Sequence, residues 1–154
     1  MHRYEEADES LVEVFLEVLE KTFPKYGNLK FKLIYDLKKR ISKGQIVLAS
    51  IELPSAKVKF FSQDEIAVDG YDYIMTVDKK AWEIADAATK QRVIRHELRH
   101  VFIDEKGAPK LIGHEIEDFY AEIELNKDDP EWRRTLVMIT NDVYEQERLM
   151  AKEG

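Results

Sequence analysis

The stretch from Gln91 to Asp104, Gln-Arg-Val-Ile-Arg-His-Glu-Leu-Arg-His-Val-Phe-Ile-Asp, restricts the fold more than any other part of the chain. Ile94, Leu98, Val101 and Phe102 form an apolar stripe at helical spacing, which must be buried. Thr89 can cap the start and Gly107 can follow the end, so the pattern predicts one helix between them. His96 and His100 lie about one turn apart on a shared face, each about 200° from Ile94 and Leu98 respectively. A fold that accepts this helix must bury one side and leave the other facing a cleft with two imidazoles. Glu97, about 100° round from His96, flanks that pair without being equivalent to it.

Composition narrows what the cleft can hold. The 154 residues contain no Cys, which excludes thiolate metal sites, iron–sulfur clusters and disulfides. Any metal must be held by His, Asp or Glu. With 44% hydrophobic and 36% charged residues, the chain is expected to form one globular domain over 1–154, not a disordered one. A formal net charge of -7 argues against non-specific nucleic-acid binding, which needs a basic surface. Met1 to Asp8 is acidic, with no apolar leader, and no run approaches the roughly 20 apolar residues of a membrane span. The expectation is a soluble, intracellular protein whose residues 1–8 and 150–154 fray.

Along the chain, Leu11, Phe15, Val18, Leu19 and Thr22 predict a core helix capped by Ser10 and ended by Pro24 and Gly27. Leu29 to Asp36 and Gln45 to Leu53 read as strands, the second stopped by Pro54. Ala56 to Phe61 reads as extended or irregular. Asp69-Gly70, between apolar runs within Asp64 to Val77, predicts a β-hairpin with one strand at the sheet edge. Asp78 can cap a short helix carrying Trp82 and Ile84. Beyond the central stretch, His114 to Leu125 predicts a helix with Ile116, Phe119, Ile123 and Tyr120 inward. Asp129-Pro130 opens a last helix with Trp132, Leu136, Ile139 and Val143 on one face. The fold class is α+β: an N-terminal helix, a three- to four-stranded mixed sheet, the histidine-bearing helix, then C-terminal helices.

His96-Glu97-Leu98-Arg99-His100 is the H-E-x-x-H pattern of zinc hydrolases, two ligands plus a base for metal-activated water. A catalytic zinc site takes a third protein ligand. His114 is the leading candidate, because an antiparallel turn from Gly107 to Gly113 can return it toward His100. Glu115, Glu117 and Glu122 are rival third ligands. His2 is the fourth histidine and sits at the terminus. Asp104, Glu117 and Asp118 are candidates to accept the second ring N–H of a ligand histidine. Tyr120 or an arginine could stabilise an oxyanion. The metzincin extension fails, since Ile103 and Lys106 stand where it needs Gly and His.

Tyr71-Asp-Tyr-Ile-Met-Thr-Val77, Trp82, Arg92 through His100, and Leu111-Ile-Gly-His-Glu-Ile-Glu-Asp-Phe119 carry a resemblance to a known family. Over roughly positions 71–120 the chain resembles the putative phage metallopeptidase family, related to SprT-like zincin metalloproteases. Glu115 stands where that family has Asp. The resemblance implies a zincin-like minimal metalloprotease with Zn²⁺ held by His96, His100 and His114, and Glu97 as catalytic base. It also implies a phage or prophage origin, a bacterial cytoplasmic location and a peptide or protein substrate lying along a sheet edge. A non-catalytic binding module on the same fold and a DNA-associated protease are the alternative readings. Oligomeric state has no signature in the sequence.

Overall fold

The computed structural model describes residues 2–114 and 118–153. Its centre is a four-stranded mixed sheet of order β1-β2-β6-β5, built from β1 (Tyr4–Glu6), β2 (Phe31–Asp36), β5 (Ala49–Glu52) and β6 (Tyr73–Asp78). β2 and β6 run parallel in the middle, and each takes an antiparallel neighbour on its outer side. Tyr4–Glu6, within the stretch expected to fray, is thus tied down as an edge strand. Arg3 adds a bidentate ion pair to Asp36 at 3.0 Å.

Helix α1 (Glu9–Thr22) is capped by Asp8, whose Oδ1 accepts from the Leu11 N–H at 3.1 Å. Ser10, the expected cap, instead accepts from the Trp82 indole N–H. Leu11, Phe15, Val18 and Leu19 are buried against Leu33 and Tyr35 of β2 and against Tyr73, Met75 and Val77 of β6. Each such side chain contributes roughly 1.5–3 kcal/mol on full burial.

The expected Gln45–Leu53 strand is two strands. Ile41–Ser42 (β3) pairs with Gln45–Ile46 (β4) across Lys43 and Gly44, both at positive φ. Val47 and Leu48 then break away, and the Leu48 carbonyl accepts from Asp78 N–H. Ala56–Phe61 (α2) is a helix, because the Ser55 side chain accepts from Val58 N–H and caps it. The Asp69-Gly70 hairpin does not form. Asp64 Oδ1 accepts from the Ile66 and Ala67 N–H groups, which removes the donors a ladder needs. Ile66 and Val68 are left exposed, and β6 lies inside the sheet, whose two edges are β1 and β5.

Two helices follow directly from β6. Asp78 caps α3 (Lys79–Ile84), and Asp86, not Thr89, caps α4 (Ala87–Leu98). Helix α4 packs beside α1, with Ile94 and Leu98 in the main core. Val93 turns into a second cluster with Ile46, Leu48, Ala81, Ala85, Trp132 and Leu136.

Helix α4 ends at Leu98, well short of Gly107. Val101–Ile103 (β7) pairs antiparallel with Pro109–Leu111 (β8), and Gly107 serves the turn at φ +81. Tertiary hydrogen bonds hold the chain out of the helix. The Tyr26 hydroxyl donates to the Val101 carbonyl, Tyr73 bridges Phe102 and Lys110, and Ile112 N–H donates to the His100 carbonyl. Phe102, expected on the buried stripe, is consequently exposed.

Short helix α5 (Tyr120–Leu125) and long helix α6 (Trp132–Glu153) complete the described chain. On α5, Glu122 is buried and Ile123 exposed, the reverse of the predicted face. On α6, Trp132, Leu136 and Thr140 are buried; Ile139 is 44% exposed. Tyr144 packs on the second core and donates to Asp78 at 2.7 Å. Ile116 lies outside the described residues, as does the side chain of Tyr120.

Candidate metal centre

Helix α4 delivers His96 and Glu97 from its last turn, both buried. His100 follows after the helix, in the turn that leads into β7. The β7–β8 hairpin then folds back and brings His114 against both. Ring centroids are 5.6 Å apart for His96–His100, 4.7 Å for His96–His114 and 4.6 Å for His100–His114. Phe119, itself buried, packs edge-on against all three rings.

The hydrogen bonds around the rings fix which nitrogens face one another. His96 Nδ1–H donates to Asp118 Oδ1 at 2.7 Å, and His100 Nδ1–H donates to the Ile112 carbonyl at 2.6 Å. In the neutral tautomer that these bonds select, Nε2 is the lone-pair nitrogen of each ring and faces the centre. His114 Nε2 lies 2.9 Å from His96 Nε2. One nitrogen from each histidine falls within 4.8 Å of the others. Three ligands at about 2.0–2.1 Å from a tetrahedral ion sit roughly 3.4 Å apart, so this donor set fits a metal ion with small ring adjustments.

The electrostatics agree with that use. His114 stands on the exposed side of the cluster, yet partial desolvation, followed by the His96 and His100 charges, pushes it down to about 4, leaving it neutral near pH 7. Burial also lowers His100, against the pull of its bond to Ile112. Burial works to raise the Asp118 carboxyl, but hydrogen bonds from His96 and Phe119 N–H outweigh it and hold it below the usual value. Burial pushes Glu97 up to about 8, with Arg133 acting in the opposite direction. A bound cation would pull Glu97 the same way as Arg133.

The rival residues divide cleanly among those described. Glu122 is fully buried between Arg95 and Arg99, with Nε–Oε distances of 2.9–3.1 Å, so its lone pairs serve that clamp. Asp104 accepts from the Lys106 and Ala108 N–H groups of its own turn and meets no histidine. Asp118 is the one of the three proposed carboxylate partners seen on a histidine ring. Glu115 and Glu117 lie outside the described residues. Arg133 had no individual signal in the sequence. Its Nη1 reaches His96 Nε2 at 3.3 Å from the start of α6, and only the tertiary fold brings these segments together.

A mixed α+β domain that gathers three imidazoles round one point has the makings of a metal-binding protein. The chain belongs to the family described as putative phage metallopeptidase, whose profile matches residues 2–140. No curated protein and no solved structure matches it. Among the described residues no helix is long and apolar enough to cross a membrane.

Proposed function

We propose that this protein is a zinc-dependent metallopeptidase of zincin type, of phage or prophage origin. The observation that carries the reading is the convergence of His96, His100 and His114 beside a buried glutamate. The three histidines would hold the ion, oriented by Asp118 and the Ile112 carbonyl. A zinc ion, when bound, supplies Lewis-acid activation of water and of a peptide carbonyl. Glu97 takes a proton from the attacking water as its oxygen bonds to the carbonyl carbon. It then passes that proton to the amine nitrogen as the C–N bond breaks. Burial supports this shuttle by bringing Glu97 toward neutral pH.

The substrate would lie as an added strand along β5. That strand closes the sheet and pairs only with β6 among the described residues, and it packs beside α4. Metal analysis and cleavage of a peptide library test the reading together. The expected result is about one zinc per chain in the wild type, sharply reduced in His114→Ala. Glu97→Gln should keep the metal and lose about 10²–10⁴-fold of the cleavage rate. Bound zinc with no cleavage of any peptide, and unchanged biological activity in Glu97→Gln, would instead identify a non-catalytic binding module.

A further inference from the structure

Helix α6 begins by placing a guanidinium inside the histidine cluster. Arg133 Nη1 lies 3.3 Å from His96 Nε2, the ring nitrogen opposite the one held by Asp118 and the same atom that His114 Nε2 approaches to 2.9 Å. Its charge reaches Glu97, His100, His114 and Asp118 as well. The neighbouring Arg92, Arg95 and Arg99 each hold a carboxylate, whereas Arg133 makes no ion pair among the described residues. It lines a cleft with Leu48, Val93, His96, Glu97 and Trp132. Apolar walls of that kind strengthen any charge interaction within it.

A cation at the His96 lone pair and a guanidinium at the same lone pair compete and repel. The pair becomes favourable when an oxygen bearing negative charge sits between them. We propose that Arg133 binds the carbonyl oxygen of the peptide bond under attack, as negative charge develops on it. This rests on the metallopeptidase reading above and supplies its oxyanion partner. The guanidinium has five N–H donors in a planar fork, suited to such an oxygen. Charge-assisted bonds of this type in a dry site serve reaction rate more than ground-state binding. The assignment also explains why the residue comes from α6, which neither strand-edge pairing nor the histidines require.

The test uses the whole protein, Arg133→Ala and Arg133→Lys, with Co²⁺ as metal and methylphosphonate as tetrahedral anion. Co²⁺ affinity is read by its absorption bands and competition with a chelator, and phosphonate affinity by titration of the loaded protein. Arg133→Ala should bind Co²⁺ at least as tightly as wild type, because the competing cation is gone. Its phosphonate Kd should rise tenfold or more, and Arg133→Lys should fall between. On any peptide the wild type cleaves, kcat should drop in Arg133→Ala with KM little changed. Unchanged phosphonate affinity with metal bound overturns the role of Arg133 and leaves the metallopeptidase reading standing. Weaker Co²⁺ binding in Arg133→Ala overturns it too, since that is the behaviour of a residue that merely positions His96. If the wild type binds no Co²⁺, the metallopeptidase reading fails and this inference with it.

Discussion

Glu122→Gln isolates the interaction that fastens α5 to the helix carrying His96. The Glu122 carboxylate is fully buried and accepts from Arg95 Nε at 2.9 and 3.1 Å and from Arg99 Nε at 3.1 Å. Glutamine keeps the shape but removes the charge and turns an NH₂ group toward donors. Breaking a buried ion pair from one side typically costs about 3–5 kcal/mol. The side chains of Arg95 and Arg99 are 15% and 25% exposed and can recover some hydration, which places the expected loss near the lower end, about 3 kcal/mol. For a chain of this size that is a Tm lower by roughly 6–12 °C. Urea and thermal unfolding followed by far-UV circular dichroism give the value. Glu124→Gln is the control: its ion pair with Lys127 joins side chains 75% and 74% exposed and should contribute nothing measurable. If Glu122→Gln unfolds within about 1 kcal/mol of wild type, the clamp is not holding α5 in place.

Two further outcomes follow from the geometry. Asp118→Ala frees the His96 ring and should weaken metal binding by about 10–100-fold while leaving the circular dichroism spectrum unchanged; equal affinity in chelator competition would discount the His96–Asp118 bond. Asp8→Ala should cost about 1 kcal/mol at neutral pH through loss of the α1 cap. Burial works to raise Asp8, but bonds from Leu11 N–H and the Tyr35 hydroxyl hold it below 3.8 in the folded state. Its contribution is therefore present above 3.8 and disappears as pH falls through the lower folded value. Urea midpoints of wild type and Asp8→Ala should converge in acid; a gap that persists or widens there would contradict the assignment.

What could be read in the sequence was local. Periodicity located α1 and the parallel strands because Leu11, Phe15 and Val18 keep the helical period and Tyr73 and Met75 the strand period of two. The misreadings occur where side chains or distant partners claim the backbone. Asp64 took the donors of the expected hairpin, Ser55 turned a seemingly extended run into a helix, and Tyr26 and Tyr73 drew Val101 and Phe102 out of α4. At the site, His96, His100 and His114 lie close enough in sequence for a returning turn to be foreseen. Arg133 is 37 residues from His96, and Glu122, which the sequence offered only as a rival metal ligand, proves to be the partner of Arg95 and Arg99. Their positions depend on how α5 and α6 dock, which has no short-range signature.

The early end of α4 changes what an ion at this site would do for the chain. With His100 beyond the helix, an ion shared with His96 and His114 would be a reversible cross-link between three segments rather than an ornament on one helix. Cross-links stabilise mainly by shortening the loops that the unfolded chain must close. Here the loop from 96 to 114 is already closed by the β7–β8 ladder and by the Tyr73 hydroxyl. The main core of Leu11, Phe15, Tyr35, Met75, Ile94 and Leu98 is assembled without any of the three histidines. Metal removal should therefore empty the site and leave the domain standing, unlike a zinc finger, whose fold is bound up with its ion.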